Sequence, residues 1–283
     1  MSVVTCLTGG LGNQLFQYAI GFAVAQKNKD DFYIDVSQFK YGTRKCEMDN
    51  LNISAKILDI EPAKTNTKVG RMFARIRRLS KTGLFTTKFM QEDADKIYDY
   101  AYPNIKYSHS IYLNGFWQNW RYFNDYRELL IKELTLKSAR REVKQFIDQV
   151  KKENSVAIHI RRGDYIECNG WLIDPNFYID AINQVKNSVK GELKFYVFCE
   201  DEAFVKELFR DMDYEMVTAK YELSDVEEFY VMSACRHKII SNSSFSWWAA
   251  YLTTQENSCV VAPVFKQWKK EFYLPIWNTI NLN

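Results

Sequence analysis

Short apolar, β-branched runs alternate with segments of helical periodicity along most of the chain. Near the start, Val3 to Leu7 predicts a strand, residues 14–26 a helix and residues 32–35 a second strand. A strand, loop, helix and strand in that order are typical of a parallel sheet. Beyond residue 153 the same alternation recurs five times. The pattern therefore predicts an α/β fold built on parallel sheets.

The second half of the chain has the cleaner alternation. Its predicted strands are 155–160, 193–199, 215–218, 237–241 and 258–262, and its predicted helices are 176–189, about 202–210, 224–235, 245–253 and 263–272. Two further helices, 123–134 and 138–152, precede it, and the second is polar enough to lead out of a domain. We therefore place a boundary near Lys152, which gives domains of residues 1–152 and 153–283.

Composition narrows the class of protein. With 283 residues, 47% hydrophobic and 16% aromatic, the chain has ample material for a packed core, unlike disordered sequences. A formal charge of +3 does not favour nucleic acid as a partner. Six dispersed cysteines, three of them in apolar runs (Cys6, Cys199 and Cys259), indicate reduced thiols. No apolar run approaches a membrane span, so we expect a cytoplasmic protein.

One stretch of the first domain is strongly basic. Residues 64–88 carry eight Lys or Arg and no acid, with apolar residues at helical spacing. A basic amphipathic helix can lie on the anionic inner membrane surface. The alternative is a helix packed on the core with a solvated basic face.

The chain is organised around residues 155–165. An apolar strand ends at Ile160 and is followed at once by Arg161 and Arg162, then by Gly163 and Asp164. In open α/β sheets, ligands bind at the carboxyl ends of the strands, and the guanidinium fork matches phosphate oxygens. We expect Gly163 to allow a tight turn and Asp164 to orient one arginine. The alternative is a surface turn with solvated charges.

Two more predicted strands end in polar residues. Glu200 and Asp201 follow one strand and can accept hydrogen bonds from a guanine edge or a ribose. The segment 241–244 follows another and opens a helix, where hydroxyl and backbone N–H groups suit an anion. If the sheet is parallel, these ends meet beside the arginines, and together they predict a nucleoside-diphosphate pocket.

The glycine loop after the first strand is a partial dinucleotide fingerprint. Gly10 and Gly12 supply its first two glycines and Asp35 its ribose-binding acid, but Leu15 takes the place of the third glycine. We therefore interpret Asn13 and Gln14 as side chains that face a polar ligand. Asn13 as a simple helix N-cap is an equally good interpretation of the sequence alone.

No metal site is predicted. Asp93-Ala-Asp95 and Asp211-Met-Asp213 have the Asp-x-Asp (DxD) spacing of a known metal-binding motif, but neither clearly follows a strong strand. The three histidines are too dispersed for zinc, and His159 at a strand end is also typical of a satisfied core histidine.

Four segments resemble the signatures of the α-1,2-fucosyltransferase family, glycosyltransferase family 11. They are Gly9-Gly-Leu-Gly-Asn-Gln-Leu-Phe-Gln-Tyr-Ala19, His159-Ile-Arg-Arg-Gly-Asp-Tyr165, Tyr196-Val-Phe-Cys-Glu-Asp201 and Ser241-Asn-Ser-Ser-Phe-Ser-Trp-Trp-Ala-Ala250. They occur in the family's order and span almost the whole chain. The third departs from the family pattern, with Cys199-Glu200 where Ser-Asp is common.

The resemblance implies a GT-B architecture of two Rossmann-like domains facing across a cleft, with GDP-fucose held by the C-terminal one. It implies transfer of L-fucose from GDP-β-L-fucose to the 2-hydroxyl of a sugar, often galactose, with inversion and without a metal or other cofactor. Animal members carry an amino-terminal membrane anchor, so the chain resembles a bacterial, cytoplasmic member acting in surface glycan synthesis. The expected acceptor is an oligosaccharide or a lipid-linked glycan.

The resemblance also implies roles for residues. Arg161 or Arg162 binds the β-phosphate, His159 and Asp201 lie near the nucleoside, and Asn13 lies near fucose or the acceptor. The candidate catalytic residues are Arg161, Asn13 and Asp164. The candidate donor-binding residues are Gly10, Gly12, His159, Arg161, Arg162, Glu200, Asp201, Asn242, Ser243, Ser244 and Phe245.

The general base and two other functions stay open. Asp164 is the nearest carboxylate, although orienting an arginine suits it better, and Glu167 is a second candidate. A dissociative transition state can also proceed without a dedicated base. The competing functions are a nicotinamide-dependent oxidoreductase and a non-catalytic sugar-nucleotide-binding protein.

Overall fold

Two α/β units make up the protein in a computed structural model that describes residues 1–40, 42–58, 88–106, 108–168, 170–266, 268 and 270–282. The units are residues 1–137 and 138–283. The boundary predicted from the sequence, near Lys152, lies after the helix Arg141–Lys152. In the structure the division falls before this helix, between residues 137 and 138. That helix packs on another helix of the second unit, Asp225–Ala234, and buries Val143, Phe146 and Val150. Its polarity is confined to the opposite face.

The first unit contains a parallel sheet. Its strands are β1 (Ser2–Cys6), β2 (Asp31–Asp35), β3 (Lys56–Leu58), β4 (Lys88–Gln91) and β5 (Ile111–Asn114). The helices among its described residues are α1 (Leu11–Asn28) and α2 (Arg127–Glu133), with 3₁₀ turns at Ser37–Lys40, Met48–Asn50, Ala94–Lys96, Trp120–Tyr122 and Asn124–Tyr126. The strand order is β3-β2-β1-β5-β4, and every pair is parallel. β1 is central, so the loop after it lies in the middle of the sheet edge.

Close packing fixes α1 against this sheet. Gly21 lies so near the strands that a β carbon there would come within 2.4 Å of the Phe32 ring and 2.6 Å of the Thr5 hydroxyl. Most of α1 from Leu11 to Ala25 is buried, which explains its high apolar content. The start of α1 is therefore rigidly placed at the end of β1.

The second unit contains a larger parallel sheet. Its strands are β6 (Ser155–His159), β7 (Lys194–Phe198), β8 (Glu215–Met216), β9 (His237–Ile239), β10 (Val260–Val264) and β11 (Asn278–Asn281). Its helices are α3 (Arg141–Lys152), α4 (Pro175–Ser188), α5 (Glu202–Leu208), α6 (Thr218–Tyr221), α7 (Asp225–Ala234) and α8 (Ser244–Tyr251), with 3₁₀ turns at Gly163–Tyr165 and Lys270–Phe272. The strand order is β11-β10-β9-β6-β7-β8, again with parallel pairs.

Local sequence signals account for most helix starts here. Asp174 caps α4 by accepting a hydrogen bond from the backbone of Asn176, and Pro175 takes the first helical position. Ser224 and Glu227 form a reciprocal capping box at α7. Both caps lie within one turn of chain, next to helices that the sequence predicts. Cys6, Cys199 and Cys259 are free thiols and are buried.

The end of the chain differs from the prediction. A closing helix over 263–272 is wrong, because β10 continues through Pro263 to Val264, and among the described residues of this segment only Lys270–Phe272 form a helical turn. The strand β11 then adds to β10, so 258–262 is not the last strand.

The predicted basic helix of residues 64–88 lies outside the described residues, except for Lys88 at the start of β4. In the described part of the chain, no helix combines the length and apolarity needed to cross a bilayer.

One buried charge gives a test of this fold. Lys238 in β9 is fully buried, and its ammonium donates to the backbone carbonyl of Cys235. Burial lowers the pKa of Lys238 to about 8. Between that value and the ordinary lysine pKa the unfolded chain holds the extra proton, so the group's contribution to stability rises with pH.

We expect the unfolding free energy of the wild type to rise relative to that of Lys238→Met, by up to about 1.4 kcal/mol per pH unit between pH 8 and pH 10. Urea unfolding across this range measures the difference. The exposed Lys144→Met is the matched control. If the unfolding free energies of the wild type and Lys238→Met changed equally with pH over this range, the lowered pKa of a buried Lys238 would be contradicted.

Candidate active site

Three neighbouring strands of the second unit end in the predicted polar segments. β9, β6 and β7 are adjacent and parallel, so residues 240–244, 160–165 and 199–201 all lie at one edge of the sheet. The backbone N–H of Ile160 donates to the carbonyl of Phe198 at 2.9 Å, which carries the pairing of β6 and β7 to this edge. The predicted convergence of the three strand ends is confirmed.

Arg162 is held by the start of α5. Its Nε lies 2.8 Å from Asp201 Oδ2, and its guanidinium stacks 3.9 Å from the centre of the Phe204 ring. Asp201 Oδ1 accepts the backbone N–H of Phe204 at 3.0 Å and so caps the helix. That N–H group and then the Arg162 charge hold the pKa of Asp201 below its usual range. Asp201 therefore orients Arg162, and its predicted contact with the nucleoside stays a prediction.

Arg161 is held by its own turn. Its Nη2 lies 2.7 Å from Asp164 Oδ1, and its guanidinium lies 5.5 Å from the centre of the Tyr165 ring. The predicted role of Asp164 as the residue that orients an arginine is confirmed. The side chains of Arg161 and Arg162 are 30% and 22% exposed, so both are positioned and still reachable by an anion.

His159 is a packed, neutral histidine. Its Nδ1 lies 2.8 Å from Ser241 Oγ, and its ring lies 5.7 Å from that of Phe245. Burial and then the Arg161 charge lower the pKa of His159 to about 3. The imidazole thus joins β6 to the end of β9 without adding charge.

The segment after β9 opens α8. Ser243 Oγ accepts the backbone N–H of Phe245 at 3.3 Å, and Ser244 is the first helical residue. Asn242 is fully buried and donates from Nδ2 to the carbonyl of Trp171 at 2.8 Å. Within the described residues its Oδ1 has no hydrogen-bond partner. Through its bond to Trp171, the Asn242 side chain joins the end of β9 to the segment that follows the arginine turn.

The turn at Gly163 does not depend on the left-handed backbone that only glycine tolerates easily. A β carbon at this position would come 2.3 Å from Glu200 Oε1, the end of an exposed, flexible side chain that can move away. The Glu200 carboxylate thus lies against the arginine turn, and this contact does not by itself require a glycine.

Sequence reasoning missed two features at this edge. Tyr165, Trp171 and Phe265 form a row of rings with centres 5.2 and 5.6 Å apart, beside Arg161. Glu228 on α7 lies close enough to sense the charges of Arg161 and Glu200, and burial raises its pKa to about 7. The aromatic residues in the stretch after the arginines were a usable signal for the first feature; nothing local marks Glu228.

The glycine loop of the first unit is built differently from the prediction. Gly10 is the N-cap of α1 and its carbonyl accepts the backbone N–H of Asn13 at 3.0 Å, while Gly12 is buried in the first turn. Asn13 as N-cap is therefore wrong. Its Oδ1 accepts a hydrogen bond from Gln118 Nε2 at 2.7 Å.

Gln14 is a structural brace. It is fully buried and bonds to the carbonyls of Gly9 and Lys45 and to the backbone N–H of Glu47, at 2.8–2.9 Å. Its predicted role as a side chain facing a ligand is wrong, because the amide is fully used within the unit.

The acidic pairs with DxD spacing have other surroundings. In the first unit, Asp93 follows β4 and pairs with Lys96 at 3.0 Å; in the second, Asp211 and Asp213 lie on the exposed segment after α5. Among the described residues, no group of three or more His, Cys, Asp or Glu side chains is placed to hold a metal ion.

Comparison with known proteins decides the family. The family model of glycosyl transferase family 11 matches residues 2–281. The chain belongs to glycosyltransferase family 11. An alpha-1,2-colitosyltransferase of Escherichia coli is 31% identical, over 92% of this chain and 91% of the relative. The galactoside 2-alpha-L-fucosyltransferase Sec1 of Mus musculus is 25% identical, over 95% of this chain and 71% of the relative.

Solved structures show the same fold. The fucosyltransferase NodZ from Bradyrhizobium superimposes with a TM-score of 0.53 at 14% identity, covering 89% of this chain and 93% of NodZ. The two parallel α/β units thus form the GT-B architecture expected from the resemblance. Because the chain belongs to this family, the protein is a glycosyltransferase, and the competing interpretation as a nicotinamide-dependent oxidoreductase is wrong.

Asp201 both caps α5 and binds Arg162, and these two roles can be separated by mutation. We expect Asp201→Ala to lower the unfolding free energy by about 1 kcal/mol through loss of the α5 cap. Asp201→Asn keeps an oxygen for the Phe204 N–H and should recover most of that loss. Thermal unfolding measures both, with the exposed Glu207→Ala as control. Equal destabilisation by Ala and Asn would show that the ion pair, and not the cap, stabilises this end of the helix.

Proposed function

We propose that this family 11 enzyme transfers L-fucose from GDP-β-L-fucose to the 2-hydroxyl of a sugar, with inversion at the fucosyl carbon. The proposed acceptor sugar is a terminal galactoside. The observation that carries the proposal is the pair of guanidinium groups, each fixed by a carboxylate, at the carboxyl edge of a parallel sheet. Relatives in the family are named for transfer of fucose or colitose.

The donor pocket follows from the chemistry of each strand end. Arg161 and Arg162 bind the diphosphate through fork-like hydrogen bonds. The N–H groups at the start of α8, at Ser243 and Ser244, add a second anion-binding element. We propose that Glu200, which is exposed beside the arginine turn, accepts hydrogen bonds from the nucleoside, while the buried Asn242 supports the end of β9. A solved NodZ structure soaked with GDP-fucose, at 16% identity and a TM-score of 0.53, has this fold.

Inverting transfer places negative charge on the β-phosphate as the bond to fucose breaks. Arg161, already aligned by Asp164, stabilises that charge as it develops. This contact therefore lowers the activation barrier of the transfer, in addition to strengthening donor binding. Asp164 is engaged in the ion pair, so we propose no role for it as general base. An oxocarbenium-like transition state with late proton loss from the acceptor hydroxyl requires none.

Colitose is a second candidate for the transferred sugar. The colitosyltransferase of Escherichia coli is 31% identical to this chain, compared with 25% for the mouse fucosyltransferase. Colitose is the 3-deoxy analogue of fucose, so one hydroxyl separates the two donors. A pocket that hydrogen-bonds the 3-hydroxyl would reject the deoxy donor strongly, whereas an apolar contact there would accept it.

The proposed setting is surface glycan synthesis in the cytoplasm. The acceptor would be an oligosaccharide or a lipid-linked glycan, and residues 64–88 would contact the anionic inner membrane surface. Binding to vesicles with and without anionic lipid, compared with a variant in which the basic residues of this stretch are replaced by glutamine, tests the membrane part.

Titration and product analysis test the central proposal. We expect isothermal titration to show binding of GDP, with weak or absent binding of UDP and NAD. Incubation with GDP-fucose or GDP-colitose, galactosides and excess EDTA should release GDP and give an α-1,2-linked product by NMR. GDP release without a glycoside product would indicate hydrolysis, and nucleotide binding without release would indicate a non-catalytic binding protein.

We expect Arg161→Lys to lower kcat on the order of 100-fold or more, because lysine keeps the charge but loses the fork. Single-turnover assays with saturating donor measure the effect. Arg210→Lys, at an exposed position after α5, is the matched control. Near-normal turnover of Arg161→Lys would show that the assignment of Arg161 is wrong.

A further inference from the structure

The guanidinium group of Arg162 rests on an aromatic ring as well as on a carboxylate. Its Nε lies 2.8 Å from Asp201 Oδ2, and its central carbon lies 3.9 Å from the centre of the Phe204 ring. This separation is well inside the range of about 6 Å in which a cation is attracted to an aromatic face. The position of Arg162 therefore depends on Phe204 in addition to Asp201.

Phe204 acts on this arginine in two ways. Its ring lies directly against the guanidinium group, and its backbone N–H donates to Asp201 Oδ1 at 3.0 Å. The same residue thus holds one oxygen of the carboxylate whose other oxygen binds Arg162. The three residues form a closed set of contacts, in which no member can move without disturbing the other two.

This set of contacts is attached to the core of the second unit. Phe204 is half-buried and packs against the hydrophobic core that the strands β6 and β7 form with their neighbouring helices. The backbone N–H of Asp201 donates to Cys199 Sγ at 3.3 Å, and Cys199 is 2% exposed. Burial raises the pKa of Cys199 to about 12, so this sulfur belongs to a neutral thiol. The support of Arg162 is therefore firm on both its aromatic and its carboxylate side.

The contacts leave one edge of the guanidinium group open. Asp201 occupies Nε and the Phe204 ring covers one face, whereas the two Nη groups make no hydrogen bond to the part of the chain that the structure describes. The side chain of Arg162 is 22% exposed, so a ligand can reach this edge. The two Nη groups of a guanidinium present parallel N–H bonds, which match two oxygens of a phosphoryl group.

We propose that Phe204 is a positioning residue for Arg162, which it holds so that the two Nη groups bind oxygens of the donor diphosphate. Arg161, the preceding residue, adds a second positive charge at the same edge of the sheet, which suits a ligand with two phosphoryl groups. Phe204 acts through Arg162 and not on the donor. The inference rests on the proposed function for the identity of the anion, but the orientation of Arg162 does not.

The expected effect of Phe204 is on donor binding. A guanidinium group that is aligned beforehand loses less side-chain entropy when an anion binds. Phe204→Leu keeps an apolar side chain against the core but removes the aromatic face, so Arg162 regains rotamers and its bond to Asp201 opens more often. Phe204→Tyr keeps the aromatic face and should preserve the alignment.

The first experiment reads the orientation of Arg162 without any ligand. The Nε–H signal of Arg162 is assigned by its loss in Arg162→Lys, in ¹H–¹⁵N NMR spectra of the full chain. We expect this signal to shift in Phe204→Leu, because the ring current is lost. We also expect its exchange with water to become faster, because the bond to Asp201 opens more often.

Two further variants separate the ring from general packing. Phe204→Tyr should leave the Arg162 signal close to that of the wild type. Tyr214→Leu is the matched control, because Tyr214 is another half-buried ring of the second unit but lies at the amino end of β8. An Arg162 signal that is unchanged in Phe204→Leu would overturn the proposal. A signal changed equally by Phe204→Tyr would overturn it too, because the aromatic face would then not be what holds Arg162.

The second experiment is a double-mutant cycle on nucleotide binding, measured by isothermal titration with GDP. We expect Phe204→Leu to raise the Kd for GDP about threefold to tenfold, and Phe204→Tyr to change it less than about twofold. In the Arg162→Lys background, Phe204→Leu should also change the Kd less than about twofold, because Phe204 acts through Arg162. Full, additive losses in the double variant would contradict the positioning role.

Guanosine tests whether the diphosphate is the group that Arg162 binds. Guanosine has the same nucleoside as GDP but no phosphoryl group, so its Kd should be the same for the wild type and Phe204→Leu. In the transfer assay, Phe204→Leu should raise the donor KM and leave the acceptor KM unchanged. Equal weakening of guanosine and GDP would show that Arg162 does not bind the diphosphate.

Failure of the proposed function is seen separately. If the wild type does not bind GDP, the NMR comparison still confirms or overturns the role of Phe204 in orienting Arg162, and the diphosphate is then the part that is wrong. If the wild type binds GDP and transfers the sugar but the Arg162 signal does not respond to Phe204→Leu, the positioning inference alone is wrong.

Discussion

The arrangement at the end of β6 depends on two guanidinium groups that are fixed before any anion arrives. Arg162 is held by Asp201, which is itself fixed as the cap of α5, and Arg161 is held by Asp164 in the adjoining turn. An arginine side chain carries about 2 kcal/mol of rotamer entropy, so prior alignment reduces the side-chain entropy that is lost when an anion binds. Phosphate oxygens approaching the remaining N–H groups meet donors that need no rearrangement.

Parallel pairing explains why this site was visible in the sequence. Once β6, β7 and β9 are recognised as strands of one parallel sheet, their carboxyl ends must meet at one edge, whatever the details of packing. The arginine pair, Glu200 with Asp201, and the segment 241–244 were placed correctly for this reason. The capping box of Ser224 was equally visible, because it lies within one turn of chain.

Contacts between distant segments could not be predicted in this way. The approach of Glu200 to Gly163, the bonds of the buried Gln14 to residues 45 and 47, and the bond between Gln118 and Asn13 all join segments that are far apart in the chain. The strands β3, β4 and β11 have only three or four residues each, too short for a clear alternation of apolar and polar positions. Helix 263–272 was wrong for the related reason that pairing with β11 outweighs local preference.

The most direct test of the central claim is a crystal structure of the protein with GDP. The account predicts the diphosphate within hydrogen-bond distance of the Arg161 and Arg162 guanidinium groups and near the start of α8. A diphosphate bound elsewhere, with both arginines keeping only their carboxylate partners, would contradict it.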